Sequence, residues 1–273
     1  LQQEGFEVDY ISPDISGRIS VTDVLEKVRK DTLLVSVMHV NNETGITQPV
    51  YEIGEALQDK DVLLHVDATQ SFGKLVEELQ QIKYNMLSMS AHKLGGPQGI
   101  GALILRKQRY KLPPVKPIMY GGQQEHGIRP GTLPVALIAG LGKACEIAEK
   151  EYKTNIQQCR NIKDKINTML EKSGLEYKYN GLQEYAMPTT MNICFKGVSS
   201  EALMLSSKDF CSISNGSACN SKSYSPSYVL LAMGIPKDQI ESSVRISWGH
   251  DITIDEIEKS FQNVIEAAKG LVW

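Results

Sequence analysis

Lys93 closes a run from Met86 whose apolar and small residues read as a strand, after which the chain breaks into Leu94, Gly95, Gly96 and Pro97. A lysine held where a strand gives way to a loop is a candidate for imine chemistry, because a deprotonated amine attacks a carbonyl carbon. On its own, such a lysine is more often a solvated surface charge. Its neighbours give it meaning. Leu63 to Val66 is a second short apolar run, ending in Asp67, Ala68, Thr69 and Gln70, and Leu33 to Val40 is a third, ending in Asn41, Asn42, Glu43, Thr44 and Gly45. Ligands of open α/β sheets gather at the carboxyl ends of the strands, so three successive runs deliver an amide, a carboxylate and a lysine to one edge. An aldehyde-bearing pyridine cofactor needs these groups: an amine for the imine, and a carboxylate that keeps the ring nitrogen protonated and electron-withdrawing. Lys93 and Asp67 fit those two roles. Asn42 and Gln70 could bond the ring oxygen, and Ser90, Thr69 and His92 offer donors for a phosphate or for orienting the imine.

A second chemical position lies between Ser212 and Pro226. Free cysteines are usually inert core residues, but Cys219 is flanked by Asn215, Gly216, Ser217, Asn220 and Lys222, which cannot form a core-facing pattern. It is expected to be exposed on a mobile loop whose far end is fixed by Ser225 as a helix cap, with Pro226 at the first helical position. A thiol with pKa about 8.5 is only a few per cent thiolate at neutral pH, yet that fraction is strongly nucleophilic, and Lys222 would raise it. Cys145, Cys159, Cys194 and Cys211 fall in helical or strand-like runs and read as structural.

Two further stretches carry weaker signals. Arg245 sits inside the apolar run Val244 to Trp248. A buried arginine needs a partner, which is either a bidentate carboxylate ligand or a structural ion pair. The stretch from Gly121 to Thr132 is too rich in glycine for regular structure and offers backbone donors and a hydroxyl to an anion.

The elements that must hold these groups follow from periodicity. Strand-like runs at Phe6 to Ile11, Leu33 to Val40, Val62 to Val66, Asn85 to Met89 and Gly101 to Leu105 alternate with helical patterns at Val21 to Arg29 and Val50 to Leu57. That alternation predicts an α/β domain, a mainly parallel sheet with crossover helices, apolar on both faces because both are covered. A continuous helical pattern runs from Pro134 to about Leu170 and grows charged after Glu146. A boundary near residue 152 then divides a cofactor-binding domain, 1–152, from a smaller α+β domain, 153–273. The latter holds strands at Met191 to Phe195, Phe210 to Ser214 and Val244 to Trp248, and helices at Glu201 to Leu205, Ser227 to Met233 and Ile254 to Gly270.

Composition narrows the class. With 273 residues, a formal net charge of -3 and no long basic run, the chain has no electrostatic footprint for nucleic acid or an anionic membrane. No stretch has the length and apolarity of a membrane span. Five cysteines, an odd number with no Cys-x-x-Cys pair, argue against a disulfide framework and a zinc site, and fit reduced thiols in a cytoplasmic protein. The chain opens at Leu1 without methionine, in what reads as a helix end before a strand, as a fragment would.

Together these residues resemble the cysteine desulfurases of the class V aminotransferase superfamily, pyridoxal-phosphate enzymes, and within them the group with a long active-site loop. The matching segments are Met38 to Gly45, His65 to Gln70, Ser90 to Lys93, Gly131 with Thr132, Gly216 to Cys219, and Ser242 to Arg245, which span nearly the whole chain in family order. The resemblance implies a fold-type I large domain in which Lys93 carries the cofactor imine and abstracts the α-proton of L-cysteine. It implies Asp67 on the pyridine nitrogen, Asn42 and Gln70 around the ring hydroxyl, Ser90 and His92 on the phosphate, and Thr132 reaching the phosphate of a neighbouring subunit in a homodimer. Arg245 would grip the substrate carboxylate. Cys219 would take the substrate sulfur, leaving alanine and a persulfide for an acceptor protein serving iron–sulfur assembly, tRNA thiolation or DNA phosphorothioation, without direct binding to nucleic acid or membrane.

The sequence also departs from that pattern. Relatives carry an earlier segment with a phosphate-binding turn and a ring-stacking histidine, so an amino-terminal truncation is expected. His126 and Pro130 stand where housekeeping members usually carry arginine and often serine, and the chain stops at Trp273 without the extended tail of iron–sulfur-assembly members. Three other readings compete. Another class V enzyme, such as a selenocysteine lyase or an aminotransferase-like protein, would not need Cys219. A non-catalytic sulfur-relay subunit would bind no cofactor. A thiol hydrolase pairing Cys219 with a histidine would leave Lys93 and Asp67 unexplained.

Overall fold

The apolar runs identified in the sequence become sheet strands wherever a neighbouring strand completes their ladder. The computed structural model of the chain describes residues 1–108, 110–215 and 226–272. Its residues pack as two units, one of Val28–His39 and Val50–Lys153, the other of Leu1–Lys27, Val40–Pro49 and Thr154–Trp273.

The first unit is built on strands β1 (Leu34–Met38), β2 (Leu63–Asp67), β3 (Met86–Ser90) and β4 (Gly101–Leu105), in that spatial order. β1, β2 and β3 run parallel, and β4 returns antiparallel on β3. The sheet is therefore mainly parallel, as expected of an α/β fold. Val37, Leu64, Val66, Leu87 and Met89 are buried on one face. Helix α2 (Val50–Ala56) lies against that face: Gly54 leaves room for Leu64, whose Cδ2 would lie 3.4 Å from a Cβ there. The opposite face carries Ser36, His65, Asp67, Ser88 and Ser90 on neighbouring strands. Leu34 (41%), Met38 (37%) and Leu103 (47%) on it are exposed, so helices cover one face here where two covered faces were expected.

The second unit holds an antiparallel sheet of β5 (Tyr177–Tyr179), β6 (Thr190–Phe195) and β7 (Ser243–Ser247). Its core joins Met191, Ile193 and Phe195 to Ile162, Ile166 and Leu170 of α4 (Val135–Ser173) and to Phe261, Val264 and Ile265 of α8 (Ile254–Leu271). Thr253 and Glu256 form a reciprocal capping box that starts α8. Three short helices complete the described elements of this unit's carboxyl-terminal part: α5 (Ser200–Ser207), α6 (Tyr228–Ala232) and α7 (Lys237–Glu241). α1 (Val21–Lys27) precedes β1, and α3 (Val76–Gln81) lies between β2 and β3. Among the described residues, no helix is long and apolar enough to cross a membrane.

Several expectations are corrected. Phe6 to Ile11 forms no strand among the described residues, and Phe6 and Tyr10 are exposed. Phe210 to Ser214 contributes a single bridge, Ser214 to Arg245, because only its end meets β7. Ser227, not Ser225, caps α6: its hydroxyl accepts the Leu230 N–H, which leaves Pro226 before the cap instead of in the first turn.

Candidate active site

The alternation of β2 turns Leu64 and Val66 into the core and sends His65 and Asp67 to the open face. At the strand end, Asp67 Oδ1 accepts the Thr69 N–H at 2.9 Å, and the Ala68 N–H returns to Ser88 O of β3 at 2.9 Å. The carboxylate thus bends its own chain into the turn that carries Thr69 and Gln70, both half-buried.

His65 stands between two serines, with Nδ1 2.8 Å from Ser36 Oγ and Nε2 3.1 Å from Ser88 Oγ. A neutral imidazole donates from one nitrogen and accepts at the other, and hydroxyls can serve both ends. Burial lowers its pKa, opposed by the Asp67 charge, which acts to raise it. A neutral His65 leaves the Asp67 carboxylate without a competing cation beside it on the sheet.

His39, the residue after β1, is buried. Its N–H donates to Asp67 O at 2.8 Å, and its Nδ1 lies 2.9 Å from Ser71 Oγ. Its Nε2 is 3.6 Å from Glu78 Oε2 of α3. Backbone and side chain of one residue therefore clasp both ends of the segment from Asp67 to Ser71.

Lys93 does not end the strand; it lies in a 3-10 turn, Ala91–Leu94, that follows β3, and it is exposed. Gly95 adopts a left-handed conformation (φ 81) so that the Gly96 N–H can return to Ala91 O at 2.9 Å. Ser90 Oγ and His92 Nδ1 are 2.7 Å apart, so the strand end and the turn share a hydrogen bond. Thr132 is exposed in the loop before α4. In that loop Glu125 (φ 49) and His126 (φ 57) both take left-handed backbone conformations that side chains disfavour.

In the second unit, Arg245 Nη1 donates to Asn42 O at 3.0 Å. The turn around Asn42 is organised by Asn41, whose Oδ1 accepts the N–H groups of Glu43 at 2.9 Å and Thr44 at 3.0 Å. Gly45 (φ 75) permits its close approach to Thr190 O, 3.1 Å from where a Cβ would stand. Glu43 is buried and accepts the Ser227 hydroxyl. Cys219, Lys222 and Ser225 lie outside the described residues.

The structure thus pairs Arg245 with Asn42 and Ser90 with His92, and sets Asp67 at the end of the strand adjacent to that of Ser90. His39, Glu43 and His65 were missed as positioning groups. Only His65 left a sequence signal, since it stands two residues before Asp67 on a strand and so shares its face.

These elements place the chain in a known class: it belongs to the aminotransferase class-V family, whose model matches residues 1–259. Among curated relatives, the chain is similar to the cysteine desulfurase IscS of Histophilus somni (strain 2336), with 43% identity over 273 residues, 99% of this chain and 66% of that protein. The chain thus spans just under two thirds of the length of that relative. Among solved structures, DndA from Streptomyces lividans is 41% identical with a TM-score of 0.79, over 91% of this chain and 69% of that one. A structure of SspA in complex with cysteine is 35% identical with a TM-score of 0.73, over 90% of this chain and 67% of that one.

Proposed function

We propose that the chain is the greater part of a cysteine desulfurase that converts L-cysteine to L-alanine and leaves a persulfide on Cys219. The observation that carries the reading is the delivery of Asp67 and of the Ser90 to Lys93 segment by adjacent parallel strands, β2 and β3, at their carboxyl ends. Identity above 40% to a named cysteine desulfurase supports the reaction, and the likeness to SspA bound to cysteine supports the substrate.

The residues fit pyridoxal 5'-phosphate. An amine, a carboxylate beside a neutral histidine, and a serine–histidine pair suit an aldehyde, a protonated pyridine and a phosphate. The sheet face that bears Asp67 also carries Leu34, Met38 and Leu103, which are exposed among the described residues. When bound, the cofactor supplies an electron sink for the carbanion formed at the substrate α-carbon.

The protein's own groups divide the remaining work. Lys93 Nζ holds the cofactor and then takes the α-proton of L-cysteine. Asp67 holds the ring nitrogen's proton, Asn42 and Gln70 bind at the ring oxygen, and Ser90 with His92 orients the phosphate. Arg245 grips the substrate carboxylate in two parallel hydrogen bonds, with Asn42 beside it. Cys219 attacks the substrate sulfur as a thiolate: the new S–S bond forms as the Cβ–S bond breaks, and the electron pair released to the carbon skeleton is protonated to give alanine. No outside oxidant is needed.

On this reading residues 1–152 serve as the cofactor-binding domain and 153–273 as the domain that carries the cysteine loop. The enzyme acts as a cytoplasmic homodimer in which Thr132 reaches the neighbouring subunit's phosphate, and a sulfur-acceptor protein relieves Cys219 of its persulfide. The test is alanine formation from L-cysteine by the cofactor-loaded protein, with mass detection of one added sulfur on the Cys219 peptide. Alanine without that sulfur would point to a class V enzyme of another activity, and no cofactor uptake would point to a relay subunit.

A further inference from the structure

Glu43 is a carboxylate with 1% of its surface exposed, on the turn that also carries Asn42. A carboxylate is costly to bury unless hydrogen bonds compensate it. Its Oε2 accepts the hydroxyl of Ser227 at 2.5 Å across 184 residues of sequence. Ser227 is in turn the N-cap of α6, its Oγ accepting the Leu230 N–H at 3.1 Å. The segment 216–225, in which Cys219 falls, ends two residues before Ser227.

The other end of that segment is tied to the same turn by a separate route. Ser214 exchanges backbone hydrogen bonds with Arg245, and the Arg245 guanidinium donates to Asn42 O. The turn itself is held from below by a buried polar chain. Asn192 Nδ2 donates to Glu43 O at 3.2 Å, and Asn180 Nδ2 donates to Asn192 Oδ1 at 2.7 Å and to Ser243 Oγ at 2.8 Å. Asn180 and Asn192 are almost wholly buried, so this chain is rigid and in a setting where hydrogen bonds are strongly directional.

We infer that Glu43 is a positioning residue for sulfur transfer: its carboxylate anchors Ser227, a described residue that follows Cys219 in the chain, to the turn that holds Asn42 against Arg245. The inference rests on the desulfurase reading and deepens it. Glu43 touches neither the cofactor-binding groups of the first unit nor, on this account, the substrate. Its loss is expected to weigh most on the step in which a thiolate must meet a sulfur atom on a substrate fixed by Arg245. A loose anchor leaves the substrate bound and the thiol misplaced, and misplacement of a reacting group is costly in rate.

The test uses the cofactor-loaded protein with Glu43→Ala, Glu43→Gln, Ser227→Ala and the Glu43→Ala/Ser227→Ala pair. Three quantities are read: the visible cofactor band, the concentration of L-cysteine that half-saturates its spectral shift, and the single-turnover rate of persulfide formation on Cys219. The expected result is an unchanged band, half-saturation within about threefold, and a persulfide rate lowered about tenfold or more in Glu43→Ala and Ser227→Ala. Glu43→Gln, which keeps an acceptor oxygen, should hold within about threefold. The double variant should be no worse than the larger single loss by more than about twofold, since the two side chains act through one bond. In the cofactor-free protein, hydrogen exchange at the Leu230 amide should quicken in Glu43→Ala and not in Glu43→Gln. If Glu43→Ala fails to fold, Ser227→Ala and Glu43→Gln carry the comparison. Losses that multiply in the double variant, or variants that match wild type in persulfide rate, would overturn the inference. Wild-type protein that forms no alanine would instead overturn the desulfurase reading.

Discussion

Arg245 on β7 donates through Nη1 to the backbone carbonyl of Asn42, at 3.0 Å and 203 residues away in sequence. The contact uses one of the five donors of the guanidinium fork. Among the described residues no carboxylate pairs with Arg245, so on the desulfurase reading its charge is kept for an anionic ligand. Arg245→Lys should therefore raise KM for L-cysteine about tenfold or more, because a point charge cannot both hold Asn42 O and grip a carboxylate in two bonds, while kcat changes less. Steady-state kinetics at varied L-cysteine measure the split; an unchanged KM would assign Arg245 to structure alone.

Cys219→Ala separates the desulfurase from its nearest competitors. The expected outcome is a protein that takes up pyridoxal phosphate as wild type does, shifts its spectrum on binding L-cysteine, and forms alanine about a thousandfold more slowly or not at all. An aminotransferase-like enzyme would keep its turnover. Alanine quantification alongside the spectrum distinguishes the two.

His65 predicts a pH dependence whose sign follows from burial. Its pKa is lowered in the fold from the ordinary 6.5, with burial the larger cause and Asp67 opposing it. The unfolded chain therefore binds the proton more readily between the folded pKa and 6.5, so stability is fully present above about 6.5 and falls as pH drops through that window. His65→Asn should flatten the part of the acid-side slope that His65 supplies. Urea midpoints at pH about 7.5 and about 5 test it; an unchanged slope would remove His65 from the account.

His39 clasps the Asp67 turn through Ser71, and both side chains are buried. His39→Ala leaves the Ser71 hydroxyl without its imidazole partner and opens a cavity, which should cost about 1–3 kcal/mol of stability. Because the same turn carries Asp67, affinity for pyridoxal phosphate should fall as well. Denaturant titration and cofactor titration give the two numbers, and loss of stability with full cofactor affinity would confine His39 to the core.

Local patterns in the sequence were enough for β2 and β3, since Leu64, Val66, Leu87 and Met89 are buried and the residues between them are not. Asp67 and Lys93 were placed at the carboxyl ends of those apolar runs: Asp67 is the last residue of β2, and Lys93 lies in the turn after β3. What escaped depends on partners remote in sequence. Phe6 to Ile11 reads as strand-like but forms no strand among the described residues. Glu43 carried no role in the sequence, because its partner Ser227 lies 184 residues away. α3 and α7, six and five residues long, were not singled out from the sequence, although the equally short α6 was. The exposed cysteine loop was inferred from composition alone, and Cys219 lies outside the described residues.

The central claim, that Lys93 holds an aldehyde cofactor which then receives L-cysteine, is tested most directly by the visible absorption spectrum of the protein with added pyridoxal phosphate, followed through an L-cysteine titration. The account predicts a band typical of a lysine-bound cofactor that shifts and decays as L-cysteine is added, accompanied by alanine, and that is absent in Lys93→Ala. A featureless spectrum, or a band that survives Lys93→Ala unchanged, would contradict it.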